Sequence, residues 1–204
     1  MTSRRERKKQ ETLERIKAVA WDLFAERGFE GTTTRAICEA ADIGTGTLFS
    51  YVDDKAELLV VCFGERVMPL LEAAIATMPP GPLEERLDHL FGTFLAFYAE
   101  DLRLGRSVLR NILFLEGGSR DAMASMNFAV QLHTARLLAE AQQADELAAD
   151  APIALLSGLV FGAYLSTLIA MLDGMLPSVQ AARSAFVLAI QTALDGSRPQ
   201  PGGR

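Results

Sequence analysis

Nearly every stretch of this chain repeats apolar residues at helical spacing, and no window alternates with period two over a convincing length. A chain with no strand pattern has nothing from which to build a sheet, so the expected fold class is all-α. Ser3-x-x-Glu6 has the spacing of a capping box, and Leu13, Ile16, Ala20, Leu23 and Phe24 follow on one helical face up to a stop at Gly28. Thr32-Thr33-Thr34 offers an N-cap, Thr33 being favoured, for a short helix through Ile37 to Ala41. Asp42 and Gly44 break the chain, and a second short helix is expected from about Thr45 to Tyr51. Asp53 or Asp54 caps a longer helix from near Lys55, which Pro69 should kink or interrupt and Met78–Pro82 should end. Further helices are expected near 83–99, 103–115, 119–144, 151–172 and 178–194, parted by Gly117-Gly118, by Asp150 with Pro152, and by Pro177-Ser178. Pro and Gly fill half of Asp195–Arg204, so residues 196–204 read as a disordered tail.

Two short helices joined by a tight turn, behind a longer helix, have the plan of a helix-turn-helix within residues 33–52. The turn uses small or turn-forming residues, Asp42, Gly44 and Gly46. The second helix would offer Thr45, Thr47, Leu48, Ser50 and Tyr51 to a major groove, where hydroxyls bond base edges or phosphates and apolar groups touch thymine methyls. Ile37, Ala41 and Ile43 would hold the two helices together. Gly44-Thr45-Gly46 is no nucleotide loop, because Phe49 stands where a third glycine is needed and no strand precedes it.

Charge supports the same reading once its distribution is considered. The whole chain of 204 residues carries −6, which argues weakly against a nucleic-acid partner. Residues 1–17, however, hold seven basic groups against three acidic ones, net +4, which leaves −10 elsewhere. An arm bearing Arg4, Arg5, Arg7, Lys8 and Lys9 on an acidic body fits either a partner signal or a solvated helix start. Half the residues are hydrophobic, enough for a sizeable core. Cys38 and Cys62 stand 24 apart without a CxxC or a histidine set, so neither a disulfide framework nor a metal site is expected, which suits a reducing cytoplasm. The charged N-terminus lacks the pattern of a secretory signal.

The stretch Arg15–Leu59 resembles the TetR family of bacterial regulators. The resemblance is carried by Ile16, Leu23-Phe24, Gly28-Phe29, Thr33, Ile37, Ala40-Ala41, Ile43, Gly46-Thr47-Leu48-Phe49, Tyr51, Lys55 and Leu58 at fixed spacing. It implies a nine-helix subunit with an N-terminal DNA-binding domain (1–60), an effector-binding and dimerisation domain (61–195), and assembly as a homodimer. It also implies that Thr33, Thr34, Arg35, Thr45, Thr47, Ser50 and Tyr51 approach DNA, and that Lys55 contacts phosphate, aided by a helix N-terminus. Three positions depart from the family pattern. Gly44 replaces a usual serine, Thr45 a frequent basic residue, and Phe49 a tyrosine whose hydroxyl meets phosphate. With those anchors thinned, Arg4 and Arg5 in the arm should carry more of the backbone affinity.

In the C-terminal two-thirds, residues 151–172 carry no charge and are long enough to span a bilayer. Lys and Arg are absent from the flanks, and a row of small residues, Ala154, Gly158, Gly162, Ser166 and Ala170, recurs every four positions. That pattern fits close helix packing at a dimer seam better than a membrane span, and no membrane partner is expected. Val179, Ala182, Phe186, Ile190 and Ala193 share one face of the last helix, so the expected interface comprises Ala154, Gly158, Gly162, Ser166, Phe186 and Ile190. Residues 83–138 are rich in large soft side chains with polar groups among them. Taken singly these fit core or surface, but the resemblance favours a pocket for a small apolar effector near Phe94, Tyr98, Asn111, Phe114, Met123, Asn127 and His133. His89 and His133 have no spaced carboxylate, serine or cysteine partner, so neither catalysis nor a cofactor is expected. The expectation is a ligand-responsive regulator, acting as a repressor, that binds a near-palindromic operator as a dimer.

Overall fold

Ser3 starts the first helix as its spacing predicts: its hydroxyl accepts from Glu6 N at 3.2 Å, while the Glu6 carboxylate accepts from Ser3 N at 2.7 Å. The computed structural model describes residues 3–112 and 117–199, the side chains at 117–119 and 122 excepted. Nine helices and no strand occur among the described residues: α1 Arg4–Gly31, α2 Thr34–Ala40, α3 Thr45–Leu48, α4 Lys55–Ala76, α5 Leu83–Glu100, α6 Leu102–Ile112, α7 Gly117–Gln143, α8 Ile153–Leu172 and α9 Val179–Asp195. They form two compact units. The first spans Met1–Arg66 and Asp101–Met123, the second Val67–Glu100 and Ala124–Arg204.

In the first unit Ile16, Ala20 and Phe24 of α1 are fully buried, with Ile37, Ala41 and Leu58 from the following elements. Gly28 turns the end of α1 with φ 75°, and a Cβ there would come within 2.9 Å of the Arg103 guanidinium on α6. Glycine answers both demands. Thr33 caps α2, accepting from Ala36 N at 3.1 Å, and Asp54 caps α4 by accepting from Glu57 N at 2.7 Å. Asp42, with φ 50°, makes the left-handed step between α2 and α3. Lys17 is buried on α1, where its ammonium meets Glu14 at 2.7 Å and also bonds Glu65 on α4. Burial alone would depress its pKa, but the two carboxylates more than offset this and raise it.

In the second unit α4 continues through Pro69 as one helix, although proline offers no N–H to the carbonyl one turn back. Phe91 of α5 sits at the centre of an aromatic cluster, its ring 5.0 Å from Tyr164 of α8 and 5.2 Å from Phe186 of α9. Asp88 of α5 pairs with Arg183 of α9, Nη2 to Oδ2 at 2.5 Å, and Gly92 leaves room for that guanidinium. Ser157 of α8 donates to Gln131 O of α7 at 3.1 Å. Residues 196–199, at the start of the expected tail, make two contacts with the rest of the unit. Ala148 N donates to Ser197 O at 2.7 Å, and Arg198 pairs with Glu84. Residues 200–204 lie outside the described residues.

Candidate nucleic-acid interface

The candidate reading helix is shorter than its sequence suggests, because α3 closes at Leu48 and the chain continues in tight turns to Tyr51. Gly44 precedes it without a side-chain cap, and a Cβ added at Gly44 or Gly46 would meet nothing within 4 Å. Among the described residues no contact demands these two glycines, and without side chains they keep this edge of the helix low. Thr45, Thr47 and Ser50 are exposed, and the Ser50 hydroxyl donates to Thr47 O at 2.7 Å, which leaves its lone pairs as acceptors.

Leu48 does not belong with these exposed residues. Only 1% exposed, it turns inward and is buried, as Ile37 and Val52 are. Its neighbour Phe49, at the position where the family pattern has a tyrosine, is 45% exposed. The four-residue length of α3 explains why Leu48 turns inward, since a single turn has one inward position and Leu48 fills it.

The other expected contacts divide by what already holds them. Thr33 spends its hydroxyl on the α2 cap, Thr34 is half-buried, and Arg35 is exposed beside Glu39, with Nε 2.8 Å from the carboxylate. That hydrogen bond and charge raise the pKa of Arg35 further. Arg4 and Arg5 lie fully in the open on the first turn of α1. Lys55 has a structural task that its sequence position does not reveal. Its ammonium donates to Phe29 O at 2.7 Å and Thr32 O at 2.8 Å, and stands 4.1 Å from the Phe29 ring centroid. It thereby gives Phe29 O a second donor beside Thr32 N, at 3.3 Å, and gives Thr32 O a donor where α1 ends. Tyr51 likewise turns its hydroxyl to the protein, donating to Lys9 O at 3.2 Å.

The second unit presents a different surface. Ala154, Gly158, Gly162 and Ser166 are exposed along α8, as the small-residue row suggests. On the same helix Leu155, Leu159 and Ile169 are also exposed, joined on α9 by Leu188 at 66%. Phe186 and Ile190 are fully buried and are no part of this face. On α9, Phe186 packs against Phe91 of α5 within the subunit. Sequence shows that α9 has an apolar stripe but not which body covers it. The i, i+4 pair Leu155 and Leu159, in register with the glycines, is the signal that could have marked the outward face. By length and composition alone α8 is long and apolar enough to cross a membrane.

Of the expected effector residues, Phe94, Tyr98, Asn127 and His133 fall in the second unit and Asn111 and Met123 in the first, while Phe114 lies outside the described residues. Phe94 and Tyr98 are buried, the Tyr98 phenol pushed well above its ordinary pKa by that burial. Among the described residues His133 Nε2 is buried without a hydrogen-bond partner, and burial lowers the ring's pKa. Asn111 is bound to its own helix, donating to Ser107 O at 2.7 Å. An open groove of about 330 Å³ on the second unit is lined by Leu70, His89, Thr93, Phe97 and Arg183 among others, none of them in the expected set.

Residues 16–62, which contain α2, α3 and the turn between them, match the family model described as bacterial regulatory proteins, tetR family. The HTH-type transcriptional repressor KstR of Mycolicibacterium smegmatis is 30% identical over 120 residues, covering 58% of this chain and 51% of KstR. The chain therefore spans about half the length of that curated relative. Among solved structures, the regulator FadR of Bacillus subtilis, in complex with stearoyl-CoA, aligns with a TM-score of 0.69 at 18% identity, over 87% of this chain and 97% of that one. FadR of Bacillus halodurans aligns with a TM-score of 0.68 at 18% identity, over 91% and 99%. Identities this low speak for the fold alone. The segment match and the shared helical fold agree: residues 16–62 match the tetR family of bacterial regulatory proteins, and the chain has the helical fold of the FadR regulators.

Proposed function

We propose that this chain is a ligand-responsive transcriptional repressor that binds a near-palindromic operator as a homodimer in the cytoplasm. Residues 1–60 would form its DNA-binding domain and 61–195 its effector and dimerisation domain. The observation that carries the reading is the surface of the first unit, where uncharged Thr45, Thr47 and Ser50 are exposed beside two low glycines and a basic helical arm. Short polar side chains suit base edges, and the arm supplies the charge that α3 lacks. Similarity to a protein named a transcriptional repressor favours repression over activation. The exposed apolar face of α8 and α9 supports pairing of two copies, and twofold pairing would set two reading helices on successive major grooves.

The effector proposed is a small molecule whose apolar part is a long acyl chain, that chain taken up among Phe94, Tyr98, Asn127 and His133 of the second unit. Two observations support it: the fold is shared with a FadR bound to stearoyl-CoA, and the unpartnered His133 nitrogen is a polar group in need of a ligand atom. Selection from a randomised duplex library with the full chain tests the DNA reading. Enrichment of a near-palindrome with half-sites about one helical turn apart is expected, and recovery of no preferred sequence would end it. Stearoyl-CoA then tests the switch: it should raise the melting temperature and change affinity for the recovered duplex together, because the two binding events are linked.

A further inference from the structure

Residues 3–11 at the start of α1 are all exposed, so no core packing fixes the direction of the basic arm. A free helix end of this length is marginal in water. Tyr51, 42 residues later in sequence, reaches it directly. Its hydroxyl donates to Lys9 O at 3.2 Å, and Lys9 Nζ stands 5.7 Å from the centroid of its ring. A helical carbonyl carries two lone pairs, so Lys9 O accepts this bond without giving up its own helical one. The ammonium over the aromatic face adds a second, weaker tie.

The geometry points to Tyr51 as a positioning residue that docks the basic arm beside α3 and thereby delivers one particular arginine, Arg5, to the DNA. This rests on the DNA-reading function proposed above. Helical phase selects the arginine. Arg5, four residues before Lys9, lies about 40° around the helix from it, whereas Arg4 and Arg7 lie about 140° and about 160° away. Arg5 therefore continues the ridge that Tyr51 holds, one turn further out, next to whatever α3 touches. Arg7 points elsewhere and pairs with Glu11 at 3.5 Å. The hydroxyl of Tyr51, which on an exposed reading helix could have met a phosphate, is instead used on protein backbone, so its effect on DNA passes through the arm.

A double-mutant cycle on the full chain tests this, with the duplex recovered from the randomised library as probe. Arg5→Ala should weaken binding about tenfold and lower the log–log salt slope by about one, as the loss of one phosphate contact requires. Arg7→Ala should stay within about twofold, since its guanidinium faces away. In a Tyr51→Ala background the Arg5→Ala effect should shrink to about twofold or less, because the arm is no longer held. Tyr51→Phe, which keeps the ring and the packing, should leave part of the coupling. A full Arg5 effect in the Tyr51→Ala background would overturn the proposal, since Tyr51 would then act on DNA by itself; so would equal effects of Arg5→Ala and Arg7→Ala. A readout without DNA is hydrogen exchange at residues 4–11, which should be faster in Tyr51→Ala. Unchanged exchange there would refute the docking even if the unsubstituted chain selected no preferred duplex, an outcome that would separately sink the proposed function.

Discussion

Gly162 permits a perturbation whose sign differs inside and outside the subunit. A Cβ at Gly158 or Gly162 meets nothing within 4 Å, and both residues are exposed on α8. Replacing a helical glycine relieves backbone entropy worth about 0.5–1 kcal/mol, so an isolated subunit should become slightly more stable. A second copy changes the sign. The small residues are flanked by Leu155 at 61%, Leu159 at 46% and Ile169 at 44% exposure, an apolar face whose glycine row lets another helix come close. Gly162→Leu fills that row, and twofold symmetry counts the substitution twice. At about 1–3 kcal/mol for each overpacked site, the dimer should lose about 2–6 kcal/mol, about 30-fold to about 10⁴-fold in its dissociation constant. Sedimentation across a concentration series reads the assembly. Thermal melts of the dilute protein, where monomer prevails, read the subunit. A weaker dimer made of equally or more stable subunits is expected. An unchanged dimer would remove this face of α8 from the interface, and a destabilised monomer would refute the argument from open space.

Lys55→Met keeps the aliphatic stem but removes the donors to Phe29 O and Thr32 O, and should destabilise the chain by about 2 kcal/mol in chemical denaturation; unchanged stability would mean that those carbonyls are satisfied otherwise. His133 has a folded pKa below its ordinary value, so the unfolded chain takes up the proton first. Its contribution to stability is therefore present above the ordinary histidine range and lost as pH falls through and below it. The melting temperature should fall between pH 7 and pH 5 more steeply than that of His133→Gln, and parallel curves would refute the burial argument.

What the sequence made legible was local. The Ser3–Glu6 box, the Thr33 cap and the turn at Gly28 depend on residues within a few positions of one another, and each stands where its spacing places it. Contacts that close across the chain were not legible. Lys55 reaches carbonyls 26 and 23 residues back, Tyr51 reaches Lys9 across 42, and Lys17 reaches Glu65 across 48. Nothing in the pattern around these residues specifies the partner. Facing was the other loss. Leu48, Phe186 and Ile190 lie on apolar stripes that periodicity detects, but a stripe is equally consistent with an internal core and an external partner until neighbouring elements are in place. For Phe186 the neighbour is Phe91, far earlier in the chain.

The central claim is that α3 reads bases while the arm supplies backbone affinity. The most direct measurement compares affinity for the recovered duplex with affinity for a scrambled one of equal length, at fixed salt, for the parent chain and for Thr47→Ala and Ser50→Ala. Each lost base contact should lower specific affinity by about 1–3 kcal/mol, so the specific-to-scrambled ratio should fall about 5-fold to about 150-fold while scrambled binding stays within about twofold. A ratio that survives both substitutions, or scrambled binding that falls equally, would contradict the assignment of α3 as the reading helix.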